Sequence, residues 1–482
     1  MAMRYYIKMV KMGASFLNNS ILANLPKVDE LLEHPALGGA LHTLPYPTVL
    51  EAVRSSIEAQ RSLIIKGEAE AVLPVDAIAQ QALALAVASS QPCIRRVINA
   101  TGIILHTNLG RAPISRAALH EALAEAGGYC TLEYNLESGE RGRRGADIEK
   151  LLTKLTGAES ALIVNNNASA VFLALHCLAN DGGVLISRGE LVEIGGSFRV
   201  PDIITESGAH LVEVGTTNKT HISDYKNALK TADIRAVLKV HTSNYRICGF
   251  AEDVPPQELA SLAHAHNLPL VYDIGSGALD TYNGLKLSDE PTVVQGVKAG
   301  ADVICFSGDK LLGGTQAGII VGKKELLDTM RKSPFYRMLR CDKISLAVLG
   351  ATLKLYLEPS LALRKVPALA MLTAPKEVLK VRAKALLNAI SNACESMSCE
   401  LLDDFGQVGG GAMPTVNLPA ITVALQHNSI NTGELERRLR LWKTPIITRI
   451  KHGSVLLDVR TLEDEDFAEI ANAVAKITTE QR

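Results

Sequence analysis

The sequence predicts an α/β fold with a mainly parallel central sheet, preceded by a helical domain and followed by a small α+β domain. Three observations carry that prediction. Helix-period segments and short apolar runs alternate between about residues 148 and 322. The 482-residue chain is 47% hydrophobic but only 4% aromatic, so Ala and aliphatic side chains must fill the space between helices and sheet. Two of the apolar runs also end in reactive side chains beside glycine, at Asp273 and Lys310. Ligands of open α/β sheets bind beyond the carboxyl ends of the strands, where both residues are expected.

The elements follow in order. Residues 1–24 carry Arg4, Lys8 and Lys11 and then a mild apolar stretch broken by Asn18, Asn19 and Ser20. They read as an extension rather than a signal peptide. Residues 25–92 form a helical domain, with one periodic stretch from Thr48 to Gly67 and an Ala-rich one from Pro74 to Ser90. The core domain spans 93–358. It opens with a Gly-punctuated extended segment at 95–111. Helices are expected at 148–156, 168–178 and 256–266. Strands are expected at 160–165, 184–187, 210–214, 236–241, 269–273, 303–307 and 317–322. The third domain, 359–482, holds a helix at 375–393, strands at 415–417, 421–425, 446–450 and 455–459, and a last helix at 463–477. Gly409-Gly410-Gly411 reads as a short flexible turn.

Composition excludes several classes. The net charge is −1, so nucleic acid would need a local patch or a surface built from several subunits. Eight cysteines are scattered without CxxC pairs or zinc spacing, which points to a reduced cytoplasmic protein with no metal site. Cys177, Cys248 and Cys305 lie in apolar stretches and are expected in the core. No run reaches 18 apolar residues, so no transmembrane helix is expected.

Lys310 sits in Ser307-Gly308-Asp309-Lys310-Leu311-Leu312-Gly313-Gly314, and Asp273 closes a strand 37 residues earlier. This is one way a large α/β enzyme holds pyridoxal phosphate (PLP): the Lys amine binds the aldehyde and the Asp carboxylate keeps the ring nitrogen protonated. A solvated lysine among turn glycines gives the same spacing. Asn166, Asn167, Ala168 and Ser169 lead into a helix whose first N–H groups suit a phosphate, although Asn167 could simply cap it. Ser307 could donate to the same anion or end its strand. His241 is expected beside Asp273, to contact the ring or merely to finish a strand. Arg337 and Arg340 are spaced for one helix face, and with Arg111 they suit an oxyanion or carboxylate partners. The Arg141-Gly142-Arg143-Arg144-Gly145 loop suits a phosphate backbone or solvent.

Longer words narrow these alternatives. Val97–Gly102, His106–Pro113, Ser187–Phe198, Glu213–Asn218, Lys239–Tyr245, Ser307–Leu312 and Arg460-Thr461, the last expected in the final strand, resemble bacterial selenocysteine synthases, from about Leu25 to the C-terminus. The resemblance implies a PLP-dependent transferase of fold type I. It implies conversion of L-seryl-tRNA(Sec) to L-selenocysteinyl-tRNA(Sec) with selenophosphate, through a dehydroalanyl intermediate. It assigns the cofactor lysine to Lys310, with Arg111, Arg337 and Arg340 as substrate-pocket arginines. It also implies a homodecamer built of dimers, with the helical N-terminal domain holding tRNA(Sec). Thr315 stands where the family commonly has proline. The alternatives are a PLP-dependent lyase acting on a small amino acid or amino sugar acid, and a non-catalytic scaffold that kept the fold.

Overall fold

The computed structural model describes residues 20–195, 198–281 and 290–479; residues 1–19 of the expected extension, and Gly196 and Ser197 of one family word, lie outside them. Contacts divide the chain into two compact units, one ending at Arg96 and the other beginning at Val97.

The first unit is helical. Helices span Val28–Leu32, Pro35–Thr43, Tyr46–Ile65 and Val75–Ser89. In the third helix Val49, Val53 and Ile57 recur every four residues and are buried. They pack against Ile78 and against Ala79, Ala82 and Ala86, whose small side chains let the two helix backbones approach closely. Pro35 and Pro47 enter their helices in the first turn, where a missing N–H costs nothing.

The second unit is built on a seven-stranded sheet. Its strands are β1 (Ser160–Val164), β2 (Gly183–Ser187), β3 (His210–Val214), β4 (Ile234–Val240), β5 (Leu270–Gly275), β6 (Val303–Ser307) and β7 (Gly318–Gly322). They lie in the order β1-β7-β6-β5-β4-β2-β3. The pairs from β6 to β3 are parallel, while β7 runs antiparallel to both β6 and β1. All residues of β2, β5, β6 and β7 are buried, as continuous apolar strands covered on both faces must be. Helix Asn167–Ala179 packs an Ala- and Leu-rich surface on one face of the sheet.

Every predicted core strand is present, with ends shifted by no more than two residues. Helices Arg116–Ala126, Val200–Glu206, Ile222–Ala228, Val293–Lys298, Lys324–Lys332 and Lys343–Leu355 were not foreseen. Three of them are only six or seven residues long, too short for a period to declare itself.

The C-terminal sheet departs further from expectation. Met397–Gly409 is a 13-residue strand where none was predicted. Its exposed positions change sides midway, from Ser398 and Glu400 to Asp403, Phe405 and Gln407, while Asp404 is buried, which breaks the apolar alternation. The two short strands expected at 415–417 and 421–425 are one strand, Asn417–His427, which runs straight through Pro419. Arg460 and Thr461 lie in a short 3-10 turn, Val459–Thr461, after the strand Ser454–Asp458 and not within it. The extended segment near residue 100 joins this region. Ile98–Asn99 pairs with Ile446–Ile447, and Ile103–Leu105 pairs with the long strand at Gln407 and Gly409. Thr461 Oγ1 donates to the Asn99 carbonyl at 2.7 Å and accepts from the Gly102 N–H at 3.1 Å, so two family words far apart in sequence meet.

Candidate active site

Parallel neighbours β5 and β6 bring Asp273 and Lys310 to the carboxyl side of the sheet. Asp273 is buried within β5, which continues to Gly275. Lys310 lies in the connection from β6 to β7 and is only 6% exposed. Backbone bonds from Gly308 to Ala317, Gly313 to Lys310, Gly314 to Gly308 and Leu311 to Ser276 fold that connection tightly. Gly277 is required beneath it. Its φ is +72°, and a Cβ there would lie 2.3 Å from the Ser307 carbonyl oxygen.

Among the described residues, no direct ion pair joins Lys310 and Asp273. They face a common space at Gly275: a Cβ there would be 3.9 Å from Lys310 Nζ and 3.8 Å from Asp273 Oδ1. Burial disfavours both charges. It pushes the Asp273 carboxyl above the usual range, more than the Asn167 hydrogen bond and the Lys310 charge pull it down. It also lowers the Lys310 pKa, more than the Asp273 carboxylate restores it.

His241 stands where the strand register predicts. Val240 pairs with Asp273, and the His241 N–H donates to the Asp273 carbonyl at 2.9 Å. Asn166, rather than Asn167, caps the helix, accepting from the Ser169 N–H at 2.8 Å. The helix therefore starts one residue earlier than expected. Asn167 is turned inward and donates to Asp273 Oδ1 at 2.8 Å. The cap consumes the Ser169 N–H, which leaves the Asn167 and Ala168 N–H groups and the Ser169 hydroxyl as anion donors at this end. Ser307 is buried at the end of β6.

The three arginines are not gathered on one helix face. Arg111 holds a φ of +62°, and its guanidinium pairs with Asp309 at 2.6 Å, next to the lysine. The Ala112 N–H donates to the Asp309 carbonyl, which ties the two segments together. Arg337 and Arg340 do not share a helix, because helix Pro334–Met338 ends before Arg340. Pro334 starts it late and Leu339 ends it. The Leu339 carbonyl instead accepts from the Asn165 N–H, which sets this segment beside the end of β1. Arg340 lies 3.6 Å from Glu133, and Arg337 is exposed. The basic loop at 141–145 is engaged by carboxylates: Arg141 and Arg144 each reach Glu133 at 2.7 Å. Of the three cysteines expected in the core, Cys305 is buried and Cys177 half-buried, but Cys248 is exposed, since its apolar neighbours lie on a loop after β4.

Sequence reasoning missed several neighbours of the lysine. Gly411 presses on it: its φ is +88° and a Cβ there would lie 2.6 Å from Lys310 Nζ. The triple glycine was the available signal, and its meaning depends on what it touches. Glu290 is buried 3.3 Å from His241 and had no signal at all.

The family model described as L-seryl-tRNA selenium transferase matches residues 97–463, and the one described as Selenocysteine synthase N terminal matches residues 22–61. The chain belongs to the L-seryl-tRNA selenium transferase family. Proteins named L-seryl-tRNA(Sec) selenium transferase are similar along nearly their whole length. The one from Geotalea uraniireducens is 46% identical, covering 94% of this chain and 99% of that protein. The one from Geobacter sulfurreducens is 44% identical, over 95% and 100%. Among solved structures, D-glucosaminate-6-phosphate ammonia-lyase shares the fold, with a TM-score of 0.56 at 19% identity, covering 80% of this chain and 96% of that one. The layered α/β fold with a mainly parallel sheet, as the sequence predicts, is shared with that solved structure. No helix among the described residues is long and apolar enough to cross a membrane.

Proposed function

We propose that this protein converts L-seryl-tRNA(Sec) to L-selenocysteinyl-tRNA(Sec), with selenophosphate as selenium donor and PLP as cofactor. The observation that carries the reading is a buried lysine without a direct ion-pair partner among the described residues, facing a buried aspartate, in a chain similar throughout to selenium transferases. Three features support PLP in particular. The space at Gly275 separates amine from carboxylate. The helix at Asn167 offers N–H donors to a phosphate. Among the described residues, the Asn167 side-chain amide oxygen (an acceptor), His241 Nε2 and the Ser243 and Ser276 hydroxyls are buried without hydrogen-bond partners, a set of polar atoms suited to a polar ligand.

When bound, PLP supplies an aldehyde for the seryl amine and a ring that takes up the electrons released at Cα. The chain's own groups do the rest. Lys310 Nζ, whose basicity burial depresses, removes the Cα proton as general base. Asp273, steadied by Asn167, keeps the proton on the ring nitrogen. Asn166 shapes the helix start so that Asn167, Ala168 and Ser169, with Ser307, would hold the phosphate, and His241 would contact the ring. Arg111, Arg337 and Arg340 hold the selenophosphate oxygens while the β-hydroxyl leaves and selenium adds to the dehydroalanyl carbon. Residues 25–92 hold the tRNA, and the subunits assemble as a homodecamer built of dimers in the cytoplasm.

The test is selenium transfer to seryl-tRNA(Sec) by wild type and Lys310→Ala. Transfer that survives undiminished in the variant would refute the mechanism. A protein that fails to shift seryl-tRNA(Sec) in a gel but deaminates a small amino sugar acid would move the reading to a lyase.

A further inference from the structure

Glu290 is a buried carboxylate with an unfinished set of partners. Its side chain is 2% exposed. Oε2 accepts from the Met413 backbone N–H at 3.0 Å. Oε1 stands 3.3 Å from His241 Nε2, yet neither atom has an aligned hydrogen bond among the described residues. Leaving a charged acceptor unsatisfied in the interior is costly. A tie to Met413 alone would need no carboxylate. The spare oxygen instead faces the imidazole beside Asp273, at a distance that a small ring rotation would turn into a hydrogen bond.

Both partners of Glu290 lead to Lys310. His241 is bonded to the backbone of Asp273. Met413 ends the Gly409–Met413 strap, in which Gly411 presses on the lysine amine. Met413 is buried with φ at +50°, a left-handed conformation that a residue with a side chain keeps only when it is held. The Glu290 bond supplies that hold.

We infer that Glu290 is a positioning residue, which orients His241 with a proton on Nε2 and clamps the 409–413 strap over Lys310. The inference rests on Lys310 being the reacting amine. A carboxylate facing Nε2 requires a proton on that nitrogen, in the neutral ring and in the cation alike. Glu290 thereby links the C-terminal region, through the strap, to the strand end that carries His241.

Glu290→Gln and Glu290→Ala separate the two tasks. The amide of Glu290→Gln keeps an acceptor for Met413 but turns a donor toward His241, which moves the ring proton to Nδ1. In cofactor-free protein, amide exchange at Met413 should stay within about twofold of wild type while the His241 ring 15N signals exchange their pattern. Selenium transfer should fall by about 10- to 100-fold in kcat, with KM for seryl-tRNA(Sec) little changed. Glu290→Ala should speed exchange at Met413 by about tenfold or more. In the His241→Ala background, Glu290→Gln should add no further loss. An unchanged His241 tautomer in Glu290→Gln, or additive losses in that cycle, would overturn the inference. The exchange and ring signals need no catalysis. A wild type that transfers no selenium and shows no band at about 420 nm with PLP would instead defeat the proposed function.

Discussion

Two lysines are buried in the same sheet region to nearly the same extent, Lys239 at 5% exposure and Lys310 at 6%, and their electrostatics are opposite. Lys239, on β4, pairs with Glu190 at 2.9 Å and Asp253 at 3.2 Å, and Glu190 also accepts from the Val240 N–H. Burial works against its charge, but the two carboxylates outweigh burial and raise its pKa. Lys310 has Asp273 across a gap rather than in contact, and burial prevails. The difference teaches that depth alone does not make an amine reactive. A nearby but unpaired carboxylate lowers the cost of burial without locking the proton on.

The comparison can be broken in graded steps. The largest effect is expected from Lys310→Ala, which should abolish the band at about 420 nm and cut selenium transfer by about a thousandfold or more. Its cofactor-free form should melt no lower than wild type, because it loses a buried amine that lacks a direct partner. Lys239→Met should do the reverse. It strands the Glu190 carboxylate and should cost about 3–5 kcal/mol in denaturant unfolding, while a cofactor band persists in the protein that remains folded. A Lys239→Met variant as stable as wild type would end the contrast.

Asp273→Asn should keep the band but slow transfer by about 100-fold or more, since the ring nitrogen loses its anion. Arg111→Ala should raise KM for selenophosphate by about tenfold, the value of one charge-assisted hydrogen bond, with little change in melting because its pair with Asp309 is partly exposed.

The smallest effect is a difference in pH dependence. The Lys310 pKa is depressed in the folded chain, so between that value and the ordinary 10.5 the unfolded chain binds the extra proton. Stability contributed through Lys310 therefore rises with pH across that window, and any advantage of Lys310→Ala should shrink as 10.5 is approached. The Lys239 pKa is raised, so its contribution is complete below 10.5 and is lost only as pH climbs through the folded value. The Lys239→Met deficit should thus persist where the Lys310→Ala advantage fades. Melting curves of the cofactor-free proteins across the alkaline range would show it.

Much of the fold was legible because parallel strands buried on both faces must be continuous apolar runs, and β5 and β6 announce themselves that way. Met397–Gly409 did not, because its exposed positions change sides midway and Asp404 is buried. Lys310 and Asp273 were visible as strand-end residues beside glycine, but that spacing also suits a solvated lysine, and only the longer family words favoured a cofactor site. Gly411 was visible but misread, since a flexible turn and a close approach to an amine share the same letters.

From the amino-acid order alone came the layered α/β architecture, the lysine, the aspartate and the family likeness, because strand periodicity and short motifs are local properties. Only the folded chain decided that Asn167 turns to Asp273 while Asn166 caps, that Arg111 rests on Asp309, that Arg340 falls outside the helix of Arg337, and that Lys239 is locked while Lys310 is not. Those outcomes depend on distances between groups far apart in sequence, and charge interactions and desolvation follow distance in space rather than position in the chain.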